Sequence, residues 1–273
     1  MKNPITVENK VIMITGAFGL LGSTITESFL TQGAKVILVD SDKRKAEAVS
    51  SSLRKKFSAK YFLISITDIT KEKDCVSSVE NAVKKFKRID VLINNAAIDA
   101  KFDRKANTKL NKSRFENFPI TQLDRSYNVN VKGLVQITQA VIKQQLKQGN
   151  GNIINVASTY SLVAPNQSLY DLGDGNINYK PVDYVITKSM IPNLTRYLAT
   201  FYADKNIRCN AIAPHGIFND HEEQFVKNFS RLSPMGRMAD RNELTGPFTF
   251  LASDASAYMT GSVLTVDGGW TAW

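Results

Sequence analysis

The chain has 273 residues, 43% hydrophobic and 22% charged, a size and balance that suit one large α/β-sized domain with a generous core. No apolar run approaches the roughly 18 residues of a membrane span, and "MKNPITVENK" lacks the apolar stretch of a secretory signal, so a soluble, cytoplasmic protein is expected. The formal charge of +10 is spread over helix surfaces with no zinc-finger or RNP-like pattern, and Cys75 and Cys209 stand alone, so neither a nucleic-acid partner nor a metal or disulfide framework is expected.

Taken in chain order, "KVIMIT" reads as a buried strand and "LLGSTITESFLTQG" as a helix closing at Gly33. Between them, "TGAFGLLG" supplies Gly16, Gly19 and Gly22. A strand, a glycine turn and a helix N-terminus form an anion site, because unpaired backbone N–H groups and the positive helix end point the same way. Gly16 suits the tight turn, Gly19 the approach of a pyrophosphate, and Gly22 close packing of helix on strand. "AKVILVD" is the next strand. It ends on Asp40, 24 residues after Gly16, near the offset at which a carboxylate accepts from an adenosine ribose and repels a 2′-phosphate. That favours NAD, although Lys43 and Arg44 keep NADP possible and a helix-capping role for Asp40 stands beside the cofactor reading.

A capped, charged helix ("SDKRKAEAVSSSLRKKF"), the strand "AKYFLIS" and the helix "DITKEKDCVSSVENAVKKFKR" follow, with Asp68 either capping that helix or receiving the adenine amino group. "IDVLINNAA", "NGNIINVAS", "NIRCNAIAP" and "SVLTVDGG" are four more strands, most of them separated by helical stretches. This alternation implies right-handed crossovers and a parallel sheet covered on both faces: an α/β, Rossmann-like, doubly wound single domain over 1–273. "NVNVKG" places Asn130 at the start of a helix, "NVAS" places Ser158 at the end of the fifth strand, and "YVITK" sets Tyr184 and Lys188 one helical turn apart.

In this ordered set the chain resembles the short-chain dehydrogenase/reductase family, its compact single-domain branch. The likeness runs nearly end to end: the glycine turn, "DIT", "NNAA", Asn130, Ser158, Tyr184, Lys188, "NAIAP", "PMGRMADRNEL", "FLASDASAYMTG" and "DGG". The glycine spacing is more like the extended branch, and "PHG" puts His215 where compact members usually have glycine. His215 reads either as a substrate contact or as a loop and packing residue. The resemblance implies an NAD(P)-dependent oxidoreductase acting on CH–OH groups, with Asn130, Ser158, Tyr184 and Lys188 as catalytic residues. It implies a dinucleotide site made of Gly16, Phe18, Gly19, Leu20, Leu21, Asp40, Asp68, Ile69, Asn95, Ala96, Ala97, Tyr184, Lys188, Pro214, Gly216 and Ile217, and a homotetramer or homodimer. In this reading the Lys188 ammonium makes the Tyr184 phenol acidic, Ser158 polarises the reacting oxygen and Asn130 completes a proton relay.

Two stretches exceed what the resemblance requires. Residues 160–182 separate Ser158 from Tyr184, and the segment around 99–118 includes "KFDRKANTKLNKSR", in which six basic residues face one acidic residue. Both are expected to shape a small-molecule substrate site, and the basic one to attract anions. "DLGDGN" lacks the alternation of a calcium loop. The substrate expected is a polar, anionic, sugar-like alcohol or ketone. The alternatives are a 3-oxoacyl carrier-protein reductase and, from another class, a non-catalytic cofactor-sensing module.

Overall fold

Seven strands, all paired in parallel, make up the single sheet of the computed structural model, which describes residues 3–99, 111–173 and 178–273. They are β1 (Val11–Thr15), β2 (Lys35–Asp40), β3 (Phe62–Ile66), β4 (Val91–Asn94), β5 (Gly151–Val156), β6 (Ile207–Pro214) and β7 (Val263–Val266), in the order β3-β2-β1-β4-β5-β6-β7. Each of the seven strands expected from the sequence forms. The helices are α1 (Leu20–Thr31), α2 (Lys43–Lys56), α3 (Glu72–Phe86), α4 (Ile120–Tyr127), α5 (Leu134–Gln148), α6 (Val182–Phe201), α7 (Glu223–Leu232) and α8 (Thr245–Ala252).

Side-chain alternation along β1 explains why both faces are covered. Ile12 and Ile14 enter one cluster with Phe29 of α1 and Phe248 of α8. Val11 and Met13 enter another, with Val79 of α3 and Ile137 of α5. A strand apolar at every position needs an apolar layer on each side, and the crossover helices supply them. The direction of winding reverses between β1 and β4. The carboxyl ends of these strands therefore open a crevice where loops from both halves meet.

Three local expectations are corrected. The strand drawn at "AKYFLIS" begins at Phe62, where pairing with Val36 starts; residues Ala59–Tyr61 form a 3-10 turn, and Lys85 Nζ donates to the Ala59 and Phe62 carbonyls at 2.9 and 2.6 Å. Asp68 does not cap α3, whose N-cap is Lys71; its Oδ1 instead accepts from the backbone N–H and the hydroxyl of Thr70 at 3.1 and 2.7 Å. Asn130 does not begin a helix. It lies inside a π-helical segment, Asn128–Gly133, between α4 and α5. A π turn carries an extra residue in the helical ring and detaches main-chain groups from the ordinary i to i−4 ladder.

Candidate active site

The glycine turn sits at the carboxyl end of β1. Gly16 has φ +64°, and a Cβ there would lie 2.8 Å from the Ala96 Cα. A Cβ on Gly22 would come within 2.2 Å of the Gly16 carbonyl oxygen. The turn is thus folded tightly enough that neither position has room for a side chain. Gly19, the N-cap of α1, is exposed, and neither a side-chain cap nor an acidic residue occupies the first turn of that helix. Its leading N–H groups and positive dipole end face outward, which fits a pyrophosphate.

The carboxylate of Asp40 closes this turn from β2. Its Oδ2 accepts from the Phe18 N–H at 2.9 Å and its Oδ1 from the Asp42 N–H at 3.0 Å. Asn95 clamps the other side: its Nδ2 donates to the Thr15 and Gly16 carbonyls at 3.0 and 3.1 Å, while the Thr15 hydroxyl accepts from the Asn95 and Ala96 N–H groups. Phe18 is buried, and Leu21 and Ile217 pack against the same cluster. Leu20 is half-buried and Ala97 exposed at the crevice. Ile69 is turned inward, against Gly133, in the cluster on the other sheet face. Pro214 ends β6, Gly216 lies under the Phe229 ring and Ile217 bridges to Ala239.

The four expected catalytic residues converge. Ser158 follows β5 and caps a 3-10 turn by accepting from the Tyr160 N–H at 3.2 Å. Its hydroxyl lies near enough to the Tyr184 phenol of α6 to favour the ionised phenol. Lys188, on the same helix, is only 4% exposed and donates to the Val156 carbonyl at 2.6 Å; its Nζ is 5.8 Å from the Tyr184 ring centroid. Asn130 accepts from the Ile98 N–H at 2.7 Å and donates to the Ile98 carbonyl and the Thr187 hydroxyl, both at 3.0 Å. It therefore ties the end of the β4 loop to α6. A second joint lies beside it, where the buried Asp183 accepts from the Ser126 hydroxyl.

The electrostatics differ from the sequence expectation. The phenol of Tyr184 is pushed up from its ordinary value, first by burial, then by the Asp99 carboxylate; the Ser158 hydroxyl opposes this. The Lys188 ammonium donates to a carbonyl, and the Asp99 carboxylate and burial oppose the acidification of the phenol expected from the sequence. Burial also lowers Lys188 to about 8, so its charge is retained at neutral pH and lost above that value. Tyr184 consequently holds its proton and is arranged to donate it to an oxygen placed near Ser158.

Parts of the two longer stretches meet beside Tyr184, while 100–110 of the basic stretch and 174–177 lie outside the described residues. Lys180 Nζ stands 4.2 Å from the Tyr184 ring centroid and pairs with Asp99. Its N–H donates to Gln167 Oε1 at 2.9 Å, and the neighbouring Tyr179 N–H donates to Ser113 Oγ at 3.1 Å, so the two segments are joined. His215 is 9% exposed and shares a 2.5 Å hydrogen bond between Nδ1 and the Thr159 hydroxyl. Its ring packs against Trp270, Phe229 and Tyr160, with centroids at 4.3, 5.1 and 5.4 Å. Burial lowers it to about 4, which keeps the imidazole neutral, and among the described residues Nε2 has no partner. Lys180, Asp99, Thr159 and Trp270 were not singled out from the sequence. For Lys180 a signal exists: "KPVDYVITK" spaces Lys180, Tyr184 and Lys188 evenly, four apart.

With this geometry in place, the comparisons with known proteins become specific. A family model described as enoyl-(acyl carrier protein) reductase matches residues 16–271. A 7alpha-hydroxysteroid dehydrogenase of Bacteroides fragilis is 30% identical, covering 97% of this chain and 95% of its own. A 3-oxoacyl-[acyl-carrier-protein] reductase of Thermotoga maritima is 32% identical (96% and 98%), and a 2-dehydro-3-deoxy-D-gluconate 5-dehydrogenase of Dickeya dadantii 31% (99% and 98%). The solved structure of a short chain dehydrogenase from Leptospira borgpetersenii with bound NAD+ superposes with a TM-score of 0.83 at 29% identity, over 99% of this chain and 96% of that one. The chain belongs to the short-chain dehydrogenase/reductase family, and it is an NAD(P)-dependent oxidoreductase acting on CH–OH groups.

Proposed function

We propose that this chain is an NAD-preferring dehydrogenase or reductase for a secondary alcohol or ketone on a polar, anionic, sugar-like molecule. The observation that carries the reading is the convergence of Ser158, Tyr184 and Lys188 beside a glycine turn closed by the Asp40 carboxylate. The bound dinucleotide supplies or accepts the hydride. Ser158 orients the reacting oxygen, Tyr184 Oη delivers or recovers its proton, Lys188 braces the end of β5 and offers its ammonium to the nicotinamide ribose, and Asn130 fixes the loop after β4.

Asp40 supports NAD over NADP because a carboxylate at that strand end repels a 2′-phosphate. Arg44 offers little counterweight, since its Nε is drawn to Asp42 Oδ1 at 3.5 Å. A polar substrate is supported by the charged pair at the mouth and by the sugar-acid dehydrogenase among the relatives. The carrier-protein reductase among them favours a second reading, reduction of a 3-oxoacyl thioester. Residues around 99–118 and 160–182 shape the substrate site. The exposed apolar side chains Ile120 and Tyr127 on α4 and Ile186, Tyr197 and Phe201 on α6 suit a helix-paired homodimer or homotetramer acting in the cytoplasm.

The test is a screen for NADH production across sugar acids, phosphosugars and neutral polyols, beside NADPH consumption with an acetoacetyl thioester. Turnover of sugar acids with NAD is expected; rapid NADPH consumption with the thioester, and none with any sugar, rejects the reading.

A further inference from the structure

Two ammonium groups, not one, border the Tyr184 ring. Lys188 is the expected one. Lys180 comes from the segment between Ser158 and α6, and the two members of its ion pair are unequal: the Lys180 side chain is 10% exposed and that of Asp99 is 54% exposed. A buried ammonium cannot go unpaired without a large desolvation cost, whereas a carboxylate more than half in water can turn outward at little cost. Lys180 is pinned by its backbone bond to Gln167 and by the aromatic face beneath it; among the described residues the Asp99 carboxylate has Lys180 as its partner.

We propose that Lys180 is the counter-ion for the substrate's carboxylate or phosphate, and that the substrate takes Lys180 from Asp99. The inference rests on the anionic-substrate reading above and deepens it. It makes Asp99 an internal surrogate that holds Lys180 in place when no substrate pairs with it. The charged and titratable groups facing the phenol are Asp99 from the loop after β4, Lys180 before α6, Lys188 within it, and Tyr160 and Tyr170 from the segment between; exchange at Lys180 changes the contribution of the first.

The experiment compares gluconate with the neutral polyol sorbitol, in the full-length protein with NAD, by isothermal titration and by initial rates. The quantity read is the ratio of gluconate to sorbitol, within each variant. Lys180→Met lowers that ratio about 30-fold, the scale of one charge-assisted hydrogen bond, and Lys180→Arg restores part of it. Asp99→Asn, at an exposed position, raises the ratio a few-fold, because the internal competitor is gone, and moves the limb of the kcat/KM profile that reports Tyr184 in the free enzyme to lower pH. An equal loss on both ligands in Lys180→Met, or a ratio that falls in Asp99→Asn, overturns the proposal. If titration shows the Lys180-dependent preference while no sugar is oxidised, the anion site stands and the sugar-substrate reading falls; turnover of gluconate with an unchanged ratio in Lys180→Met does the reverse.

Discussion

The glycine-turn side of the crevice and the substrate side are built on opposite economies of polar groups. Around β1, β2 and the start of α1, the Asp40 carboxylate, the Asn95 amide and the Thr15 hydroxyl each bond to local backbone, and the turn would stand as drawn with few side chains changed. On the other side a buried His215 leaves Nε2 unpaired among the described residues, two lysines crowd one phenol, and an ion pair straddles the mouth. The first arrangement is self-contained and serves any dinucleotide of one shape. The second is full of contacts awaiting completion, as expected of a surface that must distinguish one small molecule from another.

The sharpest way to separate the two sides is Tyr184→Phe, which removes a proton donor from one and touches nothing in the other. Turnover falls by about 10³-fold, in the range of general acid–base catalysis, while the thermal stabilisation given by NAD is kept. Loss of both together would mean that the sides are not separable.

The next effect is a pH dependence confined to the substrate side. His215 is neutral in the fold because burial lowers it to about 4 from 6.5. The unfolded chain binds the extra proton first as pH falls, so the stability carried by the neutral imidazole is present above about 6.5 and is lost as pH drops towards 4. The loss amounts to about 3 kcal/mol. His215→Gln, which can keep a bond to Thr159 without titrating, flattens the difference between denaturation curves at pH 7 and pH 4.5. Parallel curves for the two proteins would exclude a depressed imidazole.

A smaller effect inverts the first. Gly22→Val drives a side chain into the Gly16 carbonyl, 2.2 Å from where its Cβ would stand. A cost of about 2 kcal/mol and a melting temperature lower by about 5 °C are expected, together with loss of the NAD-induced shift. Retention of that shift at the lower melting temperature would show that the turn can deform and still hold a pyrophosphate.

The same division governs what could be read from the sequence. The seven strands, the glycine turn and the one-turn spacing of Tyr184 and Lys188 are local patterns with fixed periods, so short stretches of sequence suffice to place them. Asn130 was found, but its π turn was not, because a one-residue widening of a helix leaves the apolar pattern nearly intact. The protonation of Tyr184 could not be read from "YVITK" either: it depends on Asp99, 85 residues earlier, and on how deeply packing covers the ring. Nor could His215 be resolved between substrate contact and packing until Thr159 and Trp270 were seen to meet it.

Trp270 gives this last contact a temporal meaning. It follows β7 and is therefore made after the glycine turn and the Tyr184 helix, yet its ring forms one wall around His215. The nucleotide-binding turn and the Tyr184 helix are complete in a nascent chain well before that wall exists. During synthesis, then, the residues of the glycine turn and of the Tyr184 helix precede the residue that encloses His215.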